Sequence, residues 1–460
     1  MLQIDKSLKQ RLLSGGIWAF VAKAGTGVLT IAATAIVTRI LDPGDVGVLF
    51  LSFSIIIMMS LVVRLGIDQL GIKLVGEALS ARKYHLAKNI VFKITKLTLV
   101  SSITLATLVF IFFDSVELYF FSSKRVSTFF NMLFPLWMVL TAIQLLYAEF
   151  FRAYHHIRQA SIFAGGTVYG GTFVSLFVSI FLLALYATGS RISLDLVIAI
   201  ILSTTCIFLI IESRMLLKML RTVDNADSSS IKKDGYIGYV GLVKQGSPFL
   251  ISSLSAFALI HMDTVILGLY RSEEEVAVYA AATRIVKLIL IFSIVAYEVI
   301  VPVIVELNAK NQKQKLQTIL RIAATMASIP ASIILLLFIF YSDFVLGFLY
   351  GEYYKEGGII LIVLSIGQFM CVWTGLSGNT LIMLGFQKVL MYIYSAVTIV
   401  ALLFCVIFAK EYGAISIAYI ISIAWVVQKV ITLLVAKHLT GMWTHMSLSV
   451  SYKALKELLH

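Results

Sequence analysis

Charge is what this chain has least of: only 13% of its 460 residues are Asp, Glu, Lys or Arg, about half of the ~25% usual in soluble domains. So little polar surface excludes a large soluble body, and with it a nucleic-acid-binding module. Cysteine is nearly absent as well. The three present, Cys206, Cys371 and Cys405, sit singly in apolar runs, which excludes a disulfide scaffold and any Cys-x-x-Cys metal site. The motifs of soluble chemistry are missing too: no phosphate-cradling Walker loop, no His-Glu-x-x-His and no nucleophile elbow. A membrane-embedded enzyme of polysaccharide assembly needs a catalytic loop outside the bilayer, and no loop here is long enough. The chain is therefore expected to carry no catalytic residue and no metal or cofactor.

What is present is apolar sequence. Hydrophobic residues make up 60% of the chain, and the mean hydropathy is +0.97. The fold class is all-α and polytopic, with twelve expected transmembrane helices. They run over 14–38, 46–64, 89–113, 128–151, 160–187, 193–217, 246–269, 276–304, 319–341, 357–384, 389–409 and 413–436. Most exceed the ~20 residues a crossing requires. The N-terminus, MLQIDKSLKQRLLSGG, reads as a retained amphipathic lead-in lying on the cytoplasmic surface.

Positive charge sets the orientation. With a cytoplasmic N-terminus, the cytoplasmic segments hold 24 Lys and Arg residues and the opposite face holds 7, Arg39, Lys124, Arg125, Arg191, Arg271, Lys355 and Lys410. That bias, repeated loop by loop, places both termini inside. It also accounts for most of the formal charge of +13.

The longest polar stretch, residues 218–244, divides the chain. It separates an N-terminal six-helix lobe (1–217) from a C-terminal one (245–437), with a cytoplasmic tail at 438–460. LDPGDVGVLFLSFSI (41–55) lines up with YRSEEEVAVYAAATRI (270–285), and Gly16 and Thr34 match Gly246 and Thr264 at an offset of 230. Equal span numbers and a fixed offset predict a parallel 6+6 repeat around a central cavity.

Ionisable groups inside the spans are the candidate site, since each costs ~2.5–3.5 kcal/mol on insertion scales. Arg284, Lys287 and Glu298 share one face of the eighth span, and Lys23 lies comparably deep in the first. Lys23, Arg284 and Lys287 would make a wet, cationic cavity. Asp263, two residues after His261, and Glu298 are the candidates for carrying a coupling proton or sodium ion, with structural pairing as the alternative for both. Lys93, Lys96 and Lys429 are read as snorkelling to the cytoplasmic surface, and His155-His156 as part of a solvated basic loop. Pro135, Pro248, Pro302 and Pro330 fall within or at the ends of spans, where they kink helices or are merely tolerated.

Several segments resemble a known family. Thr38-Arg39-Ile40-Leu41-Asp42-Pro43-Gly44-Asp45-Val46-Gly47 is similar to the Arg-x-Leu-Gly-Pro-x-x-Tyr-Gly signature of Wzx-type polysaccharide and O-antigen flippases, members of the MATE-like MOP transporter superfamily. It departs at Asp42 and Val46. Arg64-Leu65-Gly66-Ile67-Asp68 resembles the end of that family's second span, and residues 263–284 its seventh-to-eighth span hairpin. The resemblance implies alternating-access flipping of undecaprenyl-pyrophosphate-linked oligosaccharide to the periplasmic leaflet of the bacterial inner membrane. It also implies association with membrane lipids and with other assembly proteins, and coupling to a proton, sodium or substrate gradient. Lys23, Arg284 and Lys287 would then offset the pyrophosphate charge. The rivals are a multidrug exporter of the same superfamily, a lipid II flippase, and the membrane-embedded enzyme.

Overall fold

A computed structural model of the chain describes residues 25–449, apart from 82, 122–126, 155, 164–170, 188–191, 225–237 and 310–311. Among the described residues there are helices and no strands. In chain order they are α1 (Gly25–Ile40), α2 (Pro43–Val63), α3 (Ile67–Ser80), α4 (Tyr84–Ile111), α5 (Phe113–Phe120), α6 (Thr128–Ala153), α7 (Ile157–Phe163) and α8 (Thr172–Ala187). The series continues with α9 (Leu194–Asp224), α10 (Tyr239–Tyr270), α11 (Glu273–Ala309), α12 (Lys313–Tyr350), α13 (Gly358–Trp373), α14 (Ser377–Met383) and α15 (Gln387–Thr440).

Among the described residues, eight helices are long and apolar enough to cross a membrane. A ninth is α10, whose pieces Phe249–Ser255 and Phe257–Tyr270 meet at 52°, while α1 and α8 are shorter apolar helices. The expected segments 14–38 and 160–187 extend into residues outside those described. At 54 residues, α15 would run roughly 81 Å at 1.5 Å per residue, far beyond a ~30 Å hydrocarbon core. Gly413 (φ 60, ψ −149) interrupts it, a conformation that glycine adopts without a Cβ penalty. The break falls at the expected junction of the eleventh and twelfth spans.

Helix boundaries repeat along the chain. Ile40 and Tyr270 end α1 and α10 (270 − 40 = 230), Pro43 and Glu273 begin α2 and α11 (273 − 43 = 230), and Thr128 and Gly358 begin α6 and α13 (358 − 128 = 230). The breaks repeat as well. α4 ends at Phe112 (φ −101, ψ 23) before the short α5, and α12 is broken at Tyr341 (φ −132, ψ 25) before its own last turns, at nearly the same offset (341 − 112 = 229). Pro330, also inside α12, leaves the helix unbroken at its own position. The all-helical architecture is thus a duplicated one.

By packing, the chain forms two compact units that part after Ile31 and after Ala277. The reason is α10, which packs on α2 and α3 through glycine contacts. A Cβ on Gly268 would sit 2.5 Å from Leu51 Cδ2, and just past α10, at the first residue of α11, the Glu273 carbonyl oxygen would lie only 1.7 Å from a Cβ on Gly47. Nearer the end carrying Arg64, Gly66 (φ +69) lets the chain turn from α2 into α3 against α10. Its Cβ would lie 2.3 Å from Gly246 O and 2.4 Å from Leu250 N. Beneath this crossing Ile67, Leu70, Val91, Ile94, Leu146 and Phe150 form a buried cluster.

In the other unit α12, α13 and α15 pack together, and the segment after α15 is strapped across their ends. Trp443 N–H donates to Gln317 Oε1 (2.9 Å), the Thr444 hydroxyl to Thr374 O (2.9 Å) and Met446 N–H to Trp373 O (2.9 Å). Met442 is buried with Ile304, Leu316 and Leu320.

Gly66→Ala must push backbone against backbone in a left-handed conformation, so it should cost at least about 2 kcal/mol. Gly76→Ala, mid-helix in α3 with nothing within 4 Å of its Cβ, should be neutral or gain up to ~1 kcal/mol. Thermal unfolding of the purified variants reads the difference, and equal midpoints would refute the crossing.

Candidate substrate-binding and ion-coupling sites

The eighth expected span is α11. Glu273, Glu274 and Glu275 fill its first turn, where carboxylates complement the helix dipole. Ala281, Ala282, Ile285, Val286 and Ile289 are buried. The opposite face is open: Arg284 and Ile291 are half-buried, and Lys287 and Ile294 are exposed. Spacings of three, four and three residues put these four in one stripe. Arg284 leans back along its own helix, donating from Nη1 to Ala280 O at 2.7 Å. The two cations therefore share one accessible face, as the sequence spacing predicts. Glu298 continues that stripe by position on α11; its side chain and the whole of Lys23 lie outside the described residues.

Asp263 belongs to the other unit. On α10 it is 2% exposed, and its Oδ1 accepts from the Thr264 amide at 2.6 Å and the Thr264 hydroxyl at 3.2 Å. His261 stacks on Phe257 (5.9 Å between centroids) and meets Phe53 edge-on at 6.0 Å. Its ring is thus part of an aromatic contact between α10 and α2.

Three polar groupings are not legible in the sequence as sites. Arg64 and Asp68, 5% and 4% exposed, form a buried ion pair across the α2–α3 turn. Arg64 Nε also donates to Ser60 O (3.1 Å), and Asp68 Oδ1 accepts from Gln69 N (2.9 Å). Glu149, paired with Arg152 at 2.5 Å, lies within electrostatic reach of both. Glu212 of α9, wholly buried, meets Gln144 of α6. The spacing of i, i+4 flags the first pair only as local. Nothing in the sequence around Glu212, ILSTTCIFLIIESRML, announces its partner on a helix far back along the chain.

Lys429, read as snorkelling, has a partner that the sequence does not announce: its Nζ lies 3.4 Å from Tyr394 OH and 5.8 Å from that ring's centroid. Tyr394 stands in the other half of α15, and a tyrosine face and hydroxyl together attract an ammonium. Cys371 and Cys405 are buried and Cys206 is exposed, all three unbridged. Among the described residues no three His, Cys, Asp or Glu side chains converge as a metal site. His156 is exposed, and His155 lies outside the described residues.

A profile of the polysaccharide biosynthesis protein family matches residues 12–308. The chain belongs to that family. One curated relative is the "Probable low-salt glycan biosynthesis flippase Agl15" of Haloferax volcanii, 25% identical over 141 residues. That match covers 30% of this chain and only 29% of the relative. The fold is shared with an inward-facing MATE multidrug-resistance transporter of the MOP superfamily, at a TM-score of 0.68, 14% identity, and 92% and 98% of the two chains. It is shared also with the lipid II flippase MurJ in an inward closed conformation, at a TM-score of 0.66, 12% identity, and 96% and 92% of the chains. This family member is a multi-pass membrane protein with the fold of MOP transporters.

Because Arg64 and Asp68 are both buried, Asp68→Asn strands a cation and should cost roughly 3–5 kcal/mol, whereas an apolar double replacement such as R64M/D68L should recover much of that loss. A thermal-stability cycle over the four proteins checks it. A double variant no more stable than Asp68→Asn would show the pair to be more than an internal counter-ion arrangement.

Proposed function

We propose that this protein flips undecaprenyl-pyrophosphate-linked oligosaccharide from the cytoplasmic to the periplasmic leaflet of a bacterial inner membrane, with both of its termini cytoplasmic. The observation that carries the reading is the stripe of Arg284 and Lys287 on the open face of α11, in a chain of the polysaccharide biosynthesis protein family. A cation held at membrane depth costs a few kcal/mol on insertion. A phosphate about 4 Å away returns on the order of 4 kcal/mol at an effective dielectric near 20, enough to offset that cost. Two cations one turn apart suit a pyrophosphate, which spans two charged groups. The lipid tail stays in the bilayer while the sugar crosses through the wet interior.

The cycle is alternating access, with Lys23, Arg284 and Lys287 receiving the headgroup. It requires no nucleotide site and draws on a proton or sodium gradient, with Asp263 and Glu298 as carboxylates able to carry the ion. Other polysaccharide assembly proteins supply the lipid-linked substrate and consume it. The fold is common to multidrug transporters and flippases, so it does not separate the two. The cationic stripe does favour an anionic cargo over cationic drugs, and a lipid II-type headgroup shares the same pyrophosphate chemistry.

The charge on α11 should be necessary and its exact chemistry less so. The double variant R284A/K287A should abolish surface-glycan output while inserting normally, and the charge-preserving R284K/K287R should retain a substantial part of it. Glycan output from well-expressed R284A/K287A at the unaltered level would overturn the assignment.

A further inference from the structure

Among the described residues, Glu212 is a wholly buried carboxylate that the transport reading leaves unused. It stands near the middle of α9, well inside both Leu194 and Asp224, and no part of it reaches solvent. Gln144 of α6, itself 2% exposed, donates its Nε2 to Oε1 at a long 3.4 Å. Among the described residues, the buried Oε2 has no hydrogen-bond partner, and no ion pair includes Glu212.

The elements around α9 are α2, α4, α6 and α8. α8 carries no charged residue or histidine. α2 carries only Asp45, in its first turn. On α4 stand His85, Lys88, Lys93 and Lys96, of which Lys96 is exposed and Lys93 half-buried. α9 itself contributes Arg214, which is exposed. From α6 comes Tyr147, which is half-buried. α6 also carries Glu149 and Arg152, the ion pair near Arg64 and Asp68.

An ionised carboxylate buried without a cation is costly, while a protonated one loses little and can donate through its free oxygen. A single amide donor and one bare oxygen suit a proton. They do not make the multi-oxygen shell that a metal cation takes. We propose that Glu212 is a proton-binding site in the unit formed by residues 32–277. A proton adds to Oε2 and later leaves from it, with no other bond made or broken. Its role as the group on which a pH gradient acts rests on the transport reading; the proton site itself does not.

The test uses the full-length protein in lipid vesicles. Infrared spectra at neutral pH should contain the C=O stretch of a protonated carboxyl that is lost in Glu212→Gln and displaced to higher frequency in Gln144→Leu, which removes its hydrogen bond. The acceleration of lipid-linked glycan flipping by an imposed pH gradient should be lost in E212Q and retained in E212D. A carboxyl band unchanged in E212Q, or a gradient response that survives in E212Q, overturns the proposal. If the unaltered protein flips no lipid-linked glycan at any pH, the transport reading falls, and the infrared band still decides the proton site.

Discussion

An ionisable side chain inside a bilayer must be paired, wetted or neutralised, and the rest of this structure is arranged around that constraint. The chain has few charges to place, and it uses all three solutions. Arg64 and Asp68 are paired and buried at the turn between α2 and α3. Arg284 and Lys287 lie on the less buried face of α11, where Arg284 also donates to Ala280 O. Glu212 is buried, with neither an ion-pair partner among the described residues nor an open face, so a proton is the remaining means of settling its charge. The three cases differ in cost, and the costs assign the roles. A buried pair specifies a local structure, a cation on a less buried face keeps contact with its surroundings, and a buried carboxyl with no ion-pair partner among the described residues responds to pH.

The backbone makes these placements by close approach at glycine. Gly66, Gly246 and Gly268 bring α2, the α2–α3 turn and α10 within a distance that no Cβ would allow, and Gly47 does the same for α2 and the start of α11. That packing binds α10 to α2 and α3 in one compact unit. The same helix starts and breaks then recur in the second half of the chain, down to the matching backbone at Phe112 and Tyr341.

Much of the fold is legible without coordinates. Apolar runs locate the helices, acidic residues mark the start of α11, and the fixed offset between like segments exposes the duplication, because each is a local or periodic signal. The stripe of Arg284 and Lys287 is legible for the same reason: helical spacing alone fixes a shared face. What stays hidden depends on partners far apart in sequence. Gln144 and Glu212 meet only because α6 packs on α9, and Lys429 meets Tyr394 of the other half of α15. The break at Phe112 is carried by an ordinary phenylalanine, which marks no turn in a sequence, whereas glycine at 413 does.

The central claim is that the cations on α11 move a pyrophosphate-linked glycan across the membrane. It is tested most directly by reconstituting the purified protein in vesicles with a defined undecaprenyl-pyrophosphate-linked sugar and measuring its arrival at the far leaflet with an enzyme or lectin that cannot cross. The account predicts transfer that depends on Arg284 and Lys287 and that is competed by lipid-linked pyrophosphate and not by organic cations. Vesicles that transport cationic drugs while leaving the lipid-linked sugar on its original leaflet would contradict it.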